Sequence, residues 1–253
     1  MKKIDAHSHI GTFGGWAGVA FTKEKLIEQM NEYDIEKTFL TAPNFQGNDE
    51  VVDAFQSYPD KIVPFVWVNP ALDDVEKKLN HYINAVTVTH MNHSNSYIRV
   101  FFCKKCNAPR KRERRMTAMD KYRNVIFPCK IHNRINYRVI CNKCIKKRLH
   151  FDTHKALFVY IMIHMGHGHG VYIDAAIKMA KRYDNITLEM SGMPMGSKIK
   201  EAYETVGKDR IMFGIDSPFH HPTVEIQKVL SCGLDEKAQE DIFYNNAKKL
   251  LRL

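Results

Sequence analysis

The chain has 253 residues and a formal net charge of +10, and its longest apolar run covers only 156–163. That length suits one large α/β domain or two ordinary ones, whereas the apolar run is too short to span a bilayer. The first residues, MKKID, include an acid before any apolar run, so we expect no secretory signal and a cytoplasmic protein with reduced thiols.

Strand-like and helix-like patterns alternate on both flanks of a different middle segment. Alternating or short continuous apolar runs predict strands, and apolar residues three and four apart predict helices. The N-terminal flank predicts strands over 3–9, 35–43 and 61–70, a glycine-rich loop over 11–18, and helices over 22–33, 49–59 and 71–83. The C-terminal flank predicts strands over 157–164, 185–192 and 210–216 and helices over 171–183, 197–207, 222–230 and 235–253.

Six strand–helix units of this kind indicate a parallel sheet or barrel. The gap from 84 to 156 spans 73 residues, which is the room that two more units need. We therefore predict an α/β fold, a (β/α)8 TIM-type barrel that forms a single domain over 1–253. An anomalous middle, 84–156, takes the place of units four and five, and within it only 83–90 and 124–132 resemble strands.

Two histidines, His7 and His9, stand at the end of the first predicted strand. Because alternate residues of a strand point to the same side, both imidazoles are expected on one face. In a barrel this face can lie at the catalytic mouth, and two converging ring nitrogens suit a divalent transition metal, most often zinc. Taken alone, such a pair is more typical of solvated histidines at a strand end than of a metal site.

Two further polar residues follow strands in the C-terminal flank. His164 follows an apolar run in IHMGH, and Asp216 follows one in FGIDSPF. A buried Asp216 would be costly without a cation or hydrogen-bond donors, although an aspartate before Ser-Pro can also cap the next helix. The ends of parallel strands converge in a barrel, so we expect His7, His9, His164 and Asp216 to lie together.

The motifs DAHSHIG, IHMGH, FGIDSPF and EDIFYNNAKKLLRL together resemble the amidohydrolase superfamily. The resemblance covers 1–83 and 157–253 and is nearest to the amidohydrolase-related branch of metal-dependent hydrolases and aromatic-acid decarboxylases. It implies that His7 and His9 are metal ligands and that Asp216 is a ligand and catalytic proton acceptor. It also implies that His164 is a second-metal ligand or a catalytic residue that activates or orients the attacking water.

The implied function is hydrolysis of a small carbonyl compound, an amide, ester or lactone, by a metal-activated water. The implied cofactor is a divalent metal, zinc before others, as one or two ions. The alternative is decarboxylation of a small aromatic or unsaturated acid. The expected partner is a small molecule rather than a membrane or a nucleic acid, and a homo-oligomer is left open.

One ligand of the family pattern has no clear counterpart. The family has a metal-binding histidine at the end of the fifth strand, where this chain has its anomalous middle; His132 is the nearest candidate, and His90 is a candidate for the end of the fourth strand. Phe13 and Trp16, in the glycine-rich loop beside the HxH pair, are candidates for a substrate wall. The remaining histidines near the mouth are expected to be solvated rather than ligands; they are His167, His169, His220 and His221.

The middle differs from its flanks in composition. Residues 99–150 hold 17 Lys and Arg against two acids, so the rest of the chain holds 21 bases and 26 acids. Five of the six cysteines lie in this window, and no glycine occurs between Gly47 and Gly166. A basic chain is expected to bind polyanions, but here the basic character belongs to the middle alone.

A zinc ribbon is the rival interpretation of the middle. Cys103 and Cys106 form one CxxC pair, Cys141 and Cys144 form another, and basic residues adjoin them. Such pairs can hold one zinc ion and would make the segment a nucleic-acid-binding insert. Against it, the pairs are 34 residues apart, which exceeds the usual spacing of about 15–20, and an insert would lengthen the chain.

A shifted reading frame explains the middle better, because it replaces residues without changing the spacing of the flanks. We predict that translating the gene for 84–156 in the other frames recovers two strand–helix units, with glycines, an acidic balance and a strand ending in histidine. Failure of every frame, together with one tightly bound zinc lost on Cys103→Ser, would instead establish a genuine module.

Overall fold

The computed structural model describes residues 1–15, 17–67, 160–166 and 170–251, with the separate positions 77, 81–82 and 125–126. Most of the predicted helix 71–83 and of the middle segment 84–156 lies outside these residues. The same is true of the two CxxC pairs, His90, His132, His167, His169 and Trp16. Among the described residues, no helix combines the length and apolar character needed to cross a membrane.

The elements follow the predicted alternation, with shorter strands. The strands are β1 (Lys3–Ser8), β2 (Gly11–Phe13), β3 (Val19–Phe21), β4 (Ile35–Thr41), β5 (Ile62–Phe65), β6 (Val125–Ile126), β7 (Tyr160–Met162), β8 (Ile186–Glu189) and β9 (Ile211–Met212). The helices are α1 (Lys23–Glu32), α2 (Asn48–Ser57), α3 (Gly170–Arg182), α4 (Gly196–Val206), α5 (Pro222–Leu230), α6 (Glu236–Glu240) and α7 (Asn246–Leu251). A π-helical turn, Asp241–Asn245, joins α6 to α7.

Parallel pairing joins β1 to β4 and β4 to β5, and likewise β7 to β8 and β8 to β9. The segment after β9 then runs beside β1: Ala6 N donates to Phe213 O at 2.9 Å, and Asp216 N donates to His7 O at 2.7 Å. Six of the described strands therefore follow the order β5-β4-β1-β9-β8-β7. This is the order of six neighbouring strands in a (β/α)8 barrel. Closure of the predicted barrel lies outside the described residues.

Two apolar clusters lie on the two faces of this sheet. On one face, the amphipathic helices α1 to α5 pack their apolar stripes, as Leu26, Met30 and Ile173 show. On the other face, side chains of neighbouring strands pack on one another and on α7, with the rings of Phe39 and Phe65 stacked at 5.1 Å. This packing leaves the carboxyl ends of the strands free to carry polar residues.

Three predicted elements need correction. The region 11–18 is not a loop throughout, because β2 and β3 form an antiparallel hairpin around it, with Gly15 and Gly18 at positive φ in the turn. The helix predicted over 235–253 is helical from Glu236 to Leu251, but a π-helical turn separates its α-helical parts, α6 and α7. The strand β6, inside the weak candidate 124–132, pairs antiparallel with β7 rather than parallel.

Candidate metal centre

Asp216 lies at the centre of the three histidines that the sequence predicts beside it. Its Oδ1 is 3.4 Å from His7 Nε2 and 3.4 Å from His9 Nε2, and its Oδ2 is 3.9 Å from His164 Nε2. Ligand atoms about 2 Å from one ion lie within about 4 Å of each other, so these separations suit a shared cation. His7, His164 and Asp216 each offer one ligand atom, and these three atoms lie within 4.8 Å of one another.

The centre is buried and has the protonation state that metal binding requires. Asp216 is 6% exposed; burial raises the pKa of its carboxyl group, but hydrogen bonds from His7 and His9 outweigh this and hold the pKa far below its usual range. Burial, and then the neighbouring charge of His9, lower the pKa of His7. Asp216 is therefore ionised and His7 favours its neutral form, and these are the forms in which a carboxylate and an imidazole bind metal.

The other ring nitrogen of each histidine has its own neighbour. His9 Nδ1 lies 2.6 Å from the carbonyl oxygen of Thr41, and His164 Nδ1 lies 2.9 Å from that of Ser191. A carbonyl oxygen only accepts hydrogen bonds, so Nδ1 of His9 and of His164 carries a proton; in the neutral ring that binds a cation, the lone pair is then on Nε2. His7 Nδ1 lies 3.5 Å from Thr41 Oγ1. The donor set thus fits a divalent cation.

Unusual backbone conformations place two of these side chains. Asp216 has φ of 64°, and His164 and Met165 have φ of 63° and 31°. Non-glycine residues in this region cost about 1–3 kcal/mol each and are concentrated at functional sites. His164 accordingly lies in a tight turn after β7 rather than at the end of an extended strand, which corrects its predicted setting.

A buried carboxylate beneath the centre, Asp5, joins β1, β4 and the segment after β9. Its Oδ1 accepts hydrogen bonds from His7 N at 3.1 Å and Ile215 N at 2.9 Å. Its Oδ2 accepts from Ser8 Oγ at 2.5 Å and Thr38 Oγ1 at 2.7 Å. Burial raises the pKa of Asp5 to about 6, against the lowering effect of these hydrogen bonds. The sequence signal that we missed is an acid in an otherwise apolar strand, two residues before the HxH pair.

A second buried carboxylate, Glu189, supports the other side of the centre. Its Oε2 accepts from His164 N and from Ser191 Oγ, each at 2.9 Å, and its Oε1 accepts from Ser191 N. Burial raises the pKa of Glu189 to about 8, again opposed by its hydrogen bonds. A β-carbon at Gly214 would overlap Glu189 Oε1, so only glycine fits there. Sequence reasoning assigned no role to either residue.

Two aromatic rings border His9. Phe13, from β2, and Phe219, from the loop after Asp216, pack edge to face with ring centroids 4.8 Å apart. Their centroids lie 6.4 and 5.9 Å from that of His9. The candidate wall residue Phe13 is therefore beside the centre, with Phe219 as a partner that the sequence did not suggest.

The neighbouring histidines that the structure describes have other contacts. His220 Nδ1 lies 3.0 Å from Glu225 Oε1, and the buried Glu225 also pairs with Lys228. His221 is the N-cap of α5, where its ring accepts a hydrogen bond from Thr223 N. The alternative role of Asp216 as a helix cap is therefore wrong, because α5 is capped by His221.

Comparisons with known proteins address the family and the fold. The family model described as amidohydrolase matches residues 159–253. Among solved structures, the chain is similar to an amidohydrolase II, with 16% identity, full coverage of both chains and a TM-score of 0.61. It is also similar to a probable 2-pyrone-4,6-dicarboxylic acid hydrolase from Acinetobacter baumannii with citric acid bound, with 15% identity, full coverage of both chains and a TM-score of 0.59.

A third similar structure is a dihydroxybenzoic acid decarboxylase from Polaromonas sp. with bound manganese and the inhibitor 2-nitroresorcinol. It shares 13% identity over 100% of this chain and 97% of that chain, with a TM-score of 0.52. At such identities the structural similarity concerns the fold. Together with the family match over the C-terminal part, it confirms the resemblance to the amidohydrolase superfamily that the motifs predict.

Proposed function

We propose that this protein is a metal-dependent hydrolase of a small amide, ester or lactone. The observation that carries the proposal is the convergence of three imidazole Nε2 atoms on the two oxygens of Asp216. A divalent cation bound there would polarise a carbonyl group and make water more acidic. His7, His9 and Asp216 would hold the cation, and His164 would hold a second ion or orient the attacking water.

The proton steps fall to Asp216 and His164. Both have a hydrogen-bond acceptor directed into the centre, 3.9 Å apart, so either can take a proton from water and return it to the leaving group. Phe13 and Phe219 would limit the substrate to a small molecule with a flat or apolar portion that can contact the rings.

Zinc is the proposed ion because three imidazoles and one carboxylate form a nitrogen-rich donor set. Manganese, which the similar decarboxylase carries, is the rival. Native metal analysis of the purified protein distinguishes the two.

A second candidate function is decarboxylation of a small aromatic or unsaturated acid. The observation that favours it is the edge-to-face pair of Phe13 and Phe219 beside His9, since such a pair can contact a planar ring. The two candidates differ in product, because decarboxylation releases carbon dioxide and hydrolysis adds water to the substrate.

We predict that chelator-treated protein loses its activity and that one divalent metal restores it. The test assays a panel of small esters, lactones, amides and hydroxybenzoates with the chelated and the metal-restored protein, scoring acid release and carbon dioxide separately. Equal activity in both preparations would exclude the proposed metal chemistry. Carbon dioxide release without any hydrolysis would select the second candidate.

A further inference from the structure

We propose that Glu189 is a positioning residue that sets the ring tautomer and orientation of His164. The inference rests on the proposed function in one respect, namely that His164 Nε2 serves a bound cation. The contacts themselves concern only this chain. Glu189 ends β8 and is fully buried, and among the described residues its two oxygens accept hydrogen bonds from His164 and Ser191.

The direction of each hydrogen bond can be read from the groups involved. When Glu189 is ionised, Ser191 Oγ donates its single proton to Glu189 Oε2 at 2.9 Å. It can therefore only accept from His164 Nδ1, which lies 3.0 Å away. The carbonyl oxygen of Ser191, 2.9 Å from the same nitrogen, also only accepts. Both contacts require the proton on Nδ1 and leave the lone pair on Nε2, which faces Asp216.

The carboxylate also holds the backbone that carries the ring. His164 N donates to Glu189 Oε2 at 2.9 Å from a turn in which His164 and Met165 have positive φ. Without this acceptor, the turn would relax towards ordinary backbone angles and carry the imidazole with it. Gly214 provides the space that the carboxylate occupies. Glu189 thus fixes the backbone of His164 and the hydroxyl group of Ser191. Through that hydroxyl group it also fixes the imidazole ring of His164.

Glutamine is the informative replacement, because it keeps the volume of Glu189 but replaces one acceptor oxygen with an amide that donates. In the chelated protein at a pH above 8, where Glu189 is ionised, nitrogen NMR of labelled histidines should show His164, identified by its loss in His164→Gln, as a single tautomer with the proton on Nδ1. In Glu189→Gln, that signal should become a mixture of tautomers. Glu225→Gln, which alters a buried carboxylate paired elsewhere, should leave it unchanged.

Metal affinity is the second readout. We expect Glu189→Gln to weaken binding of the ion that His164 contacts about 10–100-fold, as is typical for groups that orient a ligand. In a His164→Ala background, the same change should have no further effect. If Glu189→Gln does not fold, Ser191→Ala replaces it, because it removes the hydroxyl group that connects Glu189 to the ring.

The outcomes separate this inference from the proposed function. An unchanged tautomer in Glu189→Gln, or an equal loss of affinity with and without His164, would overturn the positioning role. A wild-type protein that binds no metal but keeps the fixed tautomer, lost in Glu189→Gln, would refute the proposed function while supporting the role of Glu189.

Discussion

Asp216→Asn is expected to lower kcat/KM by about 10²–10⁴-fold, the contribution of one well-placed acid–base group, and to weaken metal binding as well. The substitution keeps the size of the side chain but removes the charge on which three Nε2 atoms converge. A neutral amide cannot accept and return the proton, and it presents a poorer ligand to a divalent cation. Steady-state kinetics and metal titration of the purified variant measure the two effects.

Asp209→Asn is the matched control for this variant. Asp209 lies before β9, and Asp216 lies after it. The side chain of Asp209 is 54% exposed and pairs with Lys249 on the surface. A change there should leave turnover and metal affinity unaltered, since exposed ion pairs contribute little. Full activity in Asp216→Asn, or equal losses in both variants, would show that the carboxylate has no chemical role.

Much of this centre could be predicted from local sequence patterns. Alternation over 3–9 predicts β1 and places His7 and His9 on one side, and their ring centroids are indeed 4.5 Å apart. The apolar run before Asp216 predicts a buried strand, and the parallel order of strands predicts that its end meets β1. These features depend on short-range periodicity and on the general geometry of parallel sheets, which a single sequence carries.

The remaining features depend on contacts between residues that are far apart in the chain. The turn at His164 has a backbone that its own residues do not favour, and it is held by Glu189, 25 residues later. Asp5 reads as an ordinary acid until Ile215, 210 residues away, is seen to donate to it. No local propensity encodes such partners, because they arise only when the strands have come together.

Three buried carboxylates together make up this end of the sheet, and they have different neighbours. Asp216 faces three ring nitrogens that can bind a cation, whereas Asp5 and Glu189 accept hydrogen bonds mainly from backbone and hydroxyl groups. Asp5 lies under His7, and Glu189 lies behind His164. Asp5 and Glu189 therefore support the candidate centre from two sides, and their oxygen atoms already accept hydrogen bonds from other groups of the protein.

Asp5→Ala is expected to lower the free energy of unfolding by about 4 kcal/mol or more, because each buried donor left without an acceptor costs about 1–3 kcal/mol. Four donors lose their partner: two backbone amides, of His7 and Ile215, and two hydroxyl groups, of Ser8 and Thr38. The loss should exceed that of an ordinary point substitution. Denaturant unfolding followed by circular dichroism, in chelated protein, measures it without any contribution from bound metal.

Asp53→Ala is the control for stability, since Asp53 is 63% exposed and pairs with Lys23 at the surface. This substitution should change the free energy of unfolding by no more than about 0.5 kcal/mol. Asp5→Asn keeps the shape and one acceptor oxygen, so it should fall between the two. The metal affinity of Asp5→Asn should still be reduced. Asp5 holds the backbone at the ligand His7 and at Ile215, which is next to the ligand Asp216. Equal midpoints for Asp5→Ala and Asp53→Ala would mean that water replaces the lost acceptor and that Asp5 does not hold β1 against the last strand.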